Sequence, residues 1–265
     1  GRYAALFERL ETPFSAIGLG VEYRDPTNQR LLDVLVERSE LIHVRDEASR
    51  DRLDRDPKVI AGADLTFLYP FEVVDWTETE RCALNLRPWS PPTPHRDGWV
   101  GRLLERASSS KPAHWDAAAV VELVRRRFEQ VTPMAMYDEP GQPGDAELLA
   151  RLVGPCEAAF DPTRLETSRY LVAMRLHALI FACQMGIPFV SLSYQPKNRA
   201  LCAELGMEWA STPLGRCDDL AAALDTLQAS AREHREALLE RREESVQRCW
   251  KSVEPIVAAV RAHAQ

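Results

Sequence analysis

The side chains best suited to chemistry in this chain are cations placed where apolar runs end. Arg45 follows Leu41-Ile42-His43-Val44, Arg87 follows Ala83-Leu84-Asn85-Leu86, Arg175 and His177 follow Tyr170 to Met174, and Lys197 follows Phe189 to Ser193 across Tyr194-Gln195. Each run reads as a buried strand, and each cation as the entry to the helix behind it. Guanidinium and ammonium groups at such positions, reinforced by positive helix N-termini, suit an anion. His177 is the member of this set that exchanges a proton near neutral pH, so proton transfer falls to it. Burying Arg175 and His177 against an apolar helix is costly without a partner charge. Two readings of this Arg-x-His step therefore stand: an anion site, or first-turn residues that satisfy a local carboxylate. For Arg45 the alternative is a surface arginine ahead of a helix opened by Asp46 and Glu47. Asp138, Glu139 and Asp145 surround a Pro/Gly-rich loop and read as solvated carboxylates.

Holding these groups requires strands that end together. A first series runs from an apolar stretch at Pro13 to Val21, through helical spacing at Leu31 to Val36 and strand Leu41 to Val44. Helix Asp46 to Leu53, strand Val59-Ile60 and Ala63 to Leu68 follow. A second series has strand Ala83 to Leu86, a loop-rich insertion at Ser90 to Ser110, amphipathic helix Asp116 to Phe128, strand Val131 to Met136 and helix Asp145 to Val153. It continues with strand Tyr170 to Met174, an apolar helix Arg175 to Met185 stopped by Gly186 and Pro188, strand Pro188 to Tyr194, and helices Pro196 to Leu205 and Cys217 to Gln228. Units this short predict an α/β fold with parallel sheets and crossover helices, arranged as two doubly wound, Rossmann-like lobes. The boundary falls between Tyr69 and Glu80, giving lobes over 1–75 and 76–228 and a charged helical segment over 229–265. A stripe of Leu238, Leu239, Val246, Trp250, Val253, Val257 and Val260 crosses that last segment, leaving packing on the first lobe and pairing with a second copy both open. Ligands in such folds sit at the carboxyl ends of strands, and between lobes where there are two.

Composition narrows the function classes. The 265 residues carry 33 Lys plus Arg against 40 Asp plus Glu, a formal charge of -7, which argues against a nucleic-acid partner. No apolar run is long enough for a membrane span, and Gly1-Arg2-Tyr3 is neither an initiator Met nor a signal peptide. The six cysteines (82, 156, 183, 202, 217 and 249) form no C-x-x-C pair, which predicts reduced thiols, a cytoplasmic location and no metal. Gly18-Leu19-Gly20 lacks the third glycine of a dinucleotide fingerprint, and no P-loop, serine elbow or zinc helix occurs, so no cofactor is expected.

The run Tyr170-Leu171-Val172-Ala173-Met174-Arg175-Leu176-His177-Ala178-Leu179-Ile180-Phe181-Ala182, with Gly186-Ile187-Pro188 and Tyr194-x-Pro-Lys197, resembles the signature of the polysaccharide pyruvyl transferase family. Ile42-His43-Val44-Arg45-Asp46-Glu47-x-Ser49 with Ala63-Asp64, and Leu84-Asn85-Leu86-Arg87-Pro88, agree with it in order. The resemblance implies two lobes similar to GT-B glycosyltransferases, an acceptor side in the first and a donor side in the second. It also implies transfer of the enolpyruvyl unit of phosphoenolpyruvate to a sugar, ending as a cyclic pyruvate ketal. The acceptor would be a saccharide or its lipid-linked precursor, the latter bringing peripheral contact with a membrane. On this reading His177 manages the proton, Arg45 and Lys197 hold phosphate and carboxylate, and Arg175 and Arg87 support them. Two departures accompany the likeness. Gln195 stands where many members have Asp, and the Gly-rich opening of the family's first lobe has no counterpart, so the first lobe reads as incomplete. A GT-B glycosyltransferase using a nucleotide sugar and a non-catalytic member of the fold are the alternatives.

Overall fold

A computed structural model describes residues 2–22, 26, 28–75, 80–89, 115–137 and 144–263. The chain divides into two compact units, one of residues 1–71 with 239–265, the other of residues 72–238. The C-terminal segment expected as a separate piece over 229–265 is thus shared between them.

The first unit holds a parallel sheet in the order β1 (Phe14–Leu19), β2 (Ser39–Val44), β3 (Val59–Ala61). Its helices are α1 (Arg2–Glu8), α2 (Gln29–Arg38) and the one-turn α3 (Glu47–Asp51). Ile42 and Val44 are fully buried and meet Leu32, Leu53 and Val59 in its core. The expected α3 forms because Asp46 caps it, its carboxylate accepting the Ser49 N–H at 2.6 Å. Ala63 to Leu68 contains a 3-10 turn (Leu65–Leu68), since Asp64 accepts the Thr66 N–H and closes a turn there.

The second unit has five parallel strands in the order β5 (Gln130–Pro133), β4 (Arg81–Asn85), β6 (Tyr170–Ala173), β7 (Phe189–Ser193), β8 (Ser211–Pro213). Between them run α4 (Ala117–Arg127), α5 (Asp145–Leu152), the short α6 (Thr163–Glu166), α7 (Leu176–Met185), α8 (Pro196–Glu204) and α9 (Cys217–Ala229). Strands β6 and β7 are buried at every residue, as central parallel strands covered on both faces must be. Strand β5 stops at Pro133, short of the expected Met136, because the Met136 N–H turns away to the carboxylate of Asp145. Helix α7 is apolar apart from His177 and Gln184 and ends at Gly186, whose φ of 71° is the left-handed C-cap that glycine accepts without strain. The insertion at Ser90 to Ser110, together with Asp138 and Glu139, lies outside the described residues.

Helix α10 (Ala231–His263) begins in the second unit and continues into the first. Its buried face is Leu238, Ser245, Cys249, Ser252, Val253 and Ile256, while Trp250, Val257 and Val260 are exposed. The face is rotated from the apolar stripe because close approach selects small residues: a Cβ on Gly62 would lie 2.0 Å from Ser252 Oγ. No helix among the described residues is long and apolar enough to cross a membrane.

Candidate active site

The strand order of the second unit reverses between β4 and β6. Both strands start crossovers there, one toward β5 and one toward β7, leaving a crevice at their carboxyl ends where such sheets take ligands. Register makes those ends level, Asn85 pairing with Ala173 and Ala173 with Ser191. Arg87, Arg175 and Tyr194 leave the sheet just beyond that line, and His177 and Lys197 fall in the first turns of α7 and α8.

The two arginines are held differently. Arg175 is the N-cap of α7, and its Nε and Nη2 donate to the two carboxylate oxygens of Asp145 at 3.0 and 2.7 Å. Asp145 has no solvent exposure, against 20% for the Arg175 side chain. The ring of Tyr137 lies 5.3 Å from the guanidinium carbon. Arg87, by contrast, has neutral hydrogen-bond partners among the described residues: Nη1 donates to the Tyr194 hydroxyl at 3.0 Å and Nε to Pro88 O at 3.4 Å. Its guanidinium also sits over the Tyr194 ring at 5.3 Å. A part-buried cation with no carboxylate beside it among the described residues is the more available partner for an incoming anion.

Asn85 ties this end of the sheet together. It is fully buried, its Nδ2 donates to Met134 O at 2.9 Å, and its Oδ1 accepts the Arg175 N–H at 3.0 Å. From the first turn of α8 Asn198 donates to Met174 O at 2.8 Å, and a hydroxyl chain runs Ser191, Ser193, Ser211 at 3.0 and 2.8 Å. These contacts fix the starts of α7 and α8, whose N–H dipoles add positive potential where His177 and Lys197 stand.

Of the expected site residues, the structure thus brings Arg87, Arg175, His177 and Lys197 to one sheet edge. His177 is exposed rather than buried and stacks toward Phe181, ring centroids 6.3 Å apart. Asp145, expected as a solvated loop acid, is instead the buried partner of Arg175, which supplies the local carboxylate of the second reading. Arg45 belongs to the first unit, where Nε meets Asp46 at 3.2 Å and Nη2 meets Glu22 at 3.7 Å. It lies across Gly20, where an added Cβ would be 2.3 Å from Arg45 Cζ, so glycine is what admits the guanidinium. Deeper in that unit, burial pushes the His43 imidazole below its ordinary value, with Asp64 opposing, and pushes the Cys249 thiol up to about 11.

Two contributors escape sequence reading. Asn85 carries a signal, since an amide inside an apolar strand demands buried partners. Tyr137 carries none.

Comparison with known proteins bears on the β6–α7–β7 stretch that supplies Arg175, His177 and Tyr194. Residues 164–196 match the polysaccharide pyruvyl transferase family. The match ends one residue before Lys197 and leaves Arg45 and Arg87 outside. No curated protein matches the chain. Among solved structures, S. aureus MnaA in a co-structure with UDP is 12% identical at a TM-score of 0.52, covering 88% of this chain and 63% of that one. A Streptococcus pneumoniae structure of accessory secretory proteins 1, 2 and 3 is 15% identical at 0.54, covering 97% and 51%. A Listeria monocytogenes protein described as a UDP-N-acetylglucosamine 2-epimerase is 13% identical at 0.55, covering 99% and 71%. The chain therefore spans between half and two thirds of the first two structures it matches. Likeness at this identity establishes the fold: α/β, with parallel sheets and helices, similar to GT-B proteins.

Proposed function

We propose that the chain is a transferase acting on a polysaccharide or its precursor, and that its donor is phosphoenolpyruvate. The observation that supports this most directly is the Arg175-Leu176-His177 junction of β6 and α7, which falls inside the segment matching the pyruvyl transferase family and at the topological switch point. The donor carries a phosphate and a carboxylate, and Arg87, Arg175 and Lys197 give one sheet edge the cations such a molecule needs. His177, exposed at the first turn of α7, delivers a proton to the donor methylene carbon, which becomes a methyl group. Carbon two gains oxocarbenium character and a sugar hydroxyl oxygen bonds to it. The C–O bond to phosphate breaks, and a second hydroxyl adds at the same carbon to close the ketal. One hydroxyl proton replaces the one His177 gave, and the other leaves with inorganic phosphate. Arg45 would hold an anionic group in the first unit.

A nucleotide-sugar reading draws on the fold shared with the UDP-bound MnaA structure, since the same cations suit a diphosphate. The deciding experiment incubates the protein with phosphoenolpyruvate and a panel of saccharide acceptors, following phosphate release and the mass of the sugar. Release with a mass gain of one pyruvyl ketal supports the donor assignment. UDP-sugar binding with no phosphoenolpyruvate binding refutes it. His177→Ala is expected to lower turnover at least ~100-fold, the usual scale of general acid-base catalysis.

A further inference from the structure

The carboxylate of Asp145 collects four donors from three parts of the second unit. They are Arg175 Nε and Nη2 at 3.0 and 2.7 Å, Met136 N beyond β5 at 3.3 Å, and Asn85 Nδ2 at the end of β4 at 3.4 Å. Asp145 is the first residue of α5, where the helix dipole favours a negative charge. The pairing with Arg175 is side-on. It consumes Nε and one Nη2 hydrogen and leaves both Nη1 hydrogens without a partner among the described residues. Asn85 Oδ1 fixes the same residue from its backbone by accepting the Arg175 N–H.

Stability alone does not account for this arrangement. Desolvating two charges offsets most of their attraction, so apolar residues of similar volume would stabilise the unit as well or better. What the pair does provide is orientation. A guanidinium on a long side chain samples many rotamers, and one clamped at Nε and Nη2 presents a single edge.

We infer that Asp145 is a positioning residue for the candidate anion site, aiming the Nη1 edge of Arg175, with Asn85 holding the backbone from which Arg175 springs. The choice of ligand rests on the phosphoenolpyruvate reading above, whereas the geometry does not. Asp145 touches no substrate on this account and acts through Arg175.

The test compares wild type, Asp145→Asn, Arg175→Gln and the double variant in phosphoenolpyruvate affinity, donor KM, kcat and thermal unfolding. It also records the arginine Nε–H spectrum of 15N-labelled protein. Asp145→Asn is expected to weaken donor binding and raise KM at least about tenfold, the scale of one charge-assisted contact, with kcat little changed. The double variant is expected to recover stability lost by either single change while binding donor no better than Arg175→Gln. A purely structural role would restore binding along with stability. Folded Asp145→Asn protein with wild-type KM overturns the inference. If that variant does not fold, wild-type donor affinity in the double variant overturns it instead. If wild type binds no phosphoenolpyruvate, the donor reading fails separately, and the spectrum decides. The Arg175 Nε–H signal, identified by its loss in Arg175→Gln, must then move to the exposed-arginine position in Asp145→Asn, and an unmoved signal refutes the positioning role.

Discussion

Arg87 and Arg175 stand at one sheet edge but in opposite electrostatic circumstances, so replacing each by Gln should have very different consequences for stability. Arg175→Gln leaves the Asp145 carboxyl group without solvent exposure and stripped of the two contacts at 2.7 and 3.0 Å. Its remaining donors, Met136 N and Asn85 Nδ2, are long and uncharged. Breaking a buried pair from one side costs about 3–5 kcal/mol, and the surviving bonds place this case near 3. Arg87→Gln removes one hydrogen bond to the Tyr194 hydroxyl, worth about 1 kcal/mol, and a ring contact worth about 0.5–1. In a protein of this size each kcal/mol moves Tm by about 2–4 °C, so Arg175→Gln should melt ~6–12 °C below wild type. By the same conversion Arg87→Gln should melt ~3–8 °C below it. Thermal unfolding of both variants followed by circular dichroism, with urea midpoints as a check, measures the difference. Equal melting temperatures, or a larger loss for Arg87→Gln, would falsify the claim that a fully buried carboxylate depends on Arg175.

Three further outcomes are expected. Lys197→Ala should weaken phosphoenolpyruvate binding while leaving the melting temperature near wild type, because Lys197 is half-buried in the first turn of α8; calorimetric titration reads the affinity, and an unchanged Kd removes Lys197 from the site. Gly62→Ala should destabilise the first unit by about 1–3 kcal/mol, since its Cβ would come within 2.0 Å of Ser252 Oγ and 2.5 Å of His43 Nε2; an unchanged urea midpoint counts against that packing. His43 is buried with its folded pKa below the ordinary imidazole value, and Nδ1 accepts the Gly18 N–H while Nε2 has no hydrogen-bond partner among the described residues. Below pH ~6.5 the unfolded chain takes up a proton that the folded one resists, so stability is fully present above that value and is lost as pH decreases below it, by up to about 1.4 kcal/mol per pH unit. His43→Gln should flatten this part of the profile, and a slope identical to wild type would exclude His43. His234, in the second unit, is lowered by burial as well and adds its own slope of the same sign.

Much of the fold was legible because its central strands β6 and β7 are buried on both faces. Leu171 to Met174 is an uninterrupted apolar run, Phe189 to Leu192 is broken by Ser191 alone, and the helix between them ends at a glycine that must adopt positive φ. Ser211–Pro213 could not be recognised as a strand, since it is polar and gains its place only by pairing with β7. The cations at strand ends were legible for the same reason as the strands: a charge immediately after a buried run has to face the sheet edge. Their partners were not. Asp145 sits behind a Pro/Gly loop and thirty residues before Arg175, and local composition describes the loop, not what folds over it. His177 was placed on the correct turn but on the wrong side, because an apolar helix gives no amphipathic pattern from which to read its exposed positions. Helix α10 misled for the opposite reason. Trp250, Val257 and Val260 of its apolar stripe face water, while Ser245, Cys249 and Ser252 are buried where the backbone comes close.

The division of α10 has a consequence for how the chain comes off the ribosome. The second unit is a continuous stretch, residues 72–238, and all of its strands and the Asp145–Arg175 pair have emerged before α10 is complete. The first unit, although synthesised first, takes residues 239–265 as part of its own body, with Cys249 and Ser252 lying against Ala63 and Gly62. Order of synthesis and order of completion are therefore reversed: the sheet of the first unit is made before the second unit but cannot finish its own body until residues 239–265 have emerged.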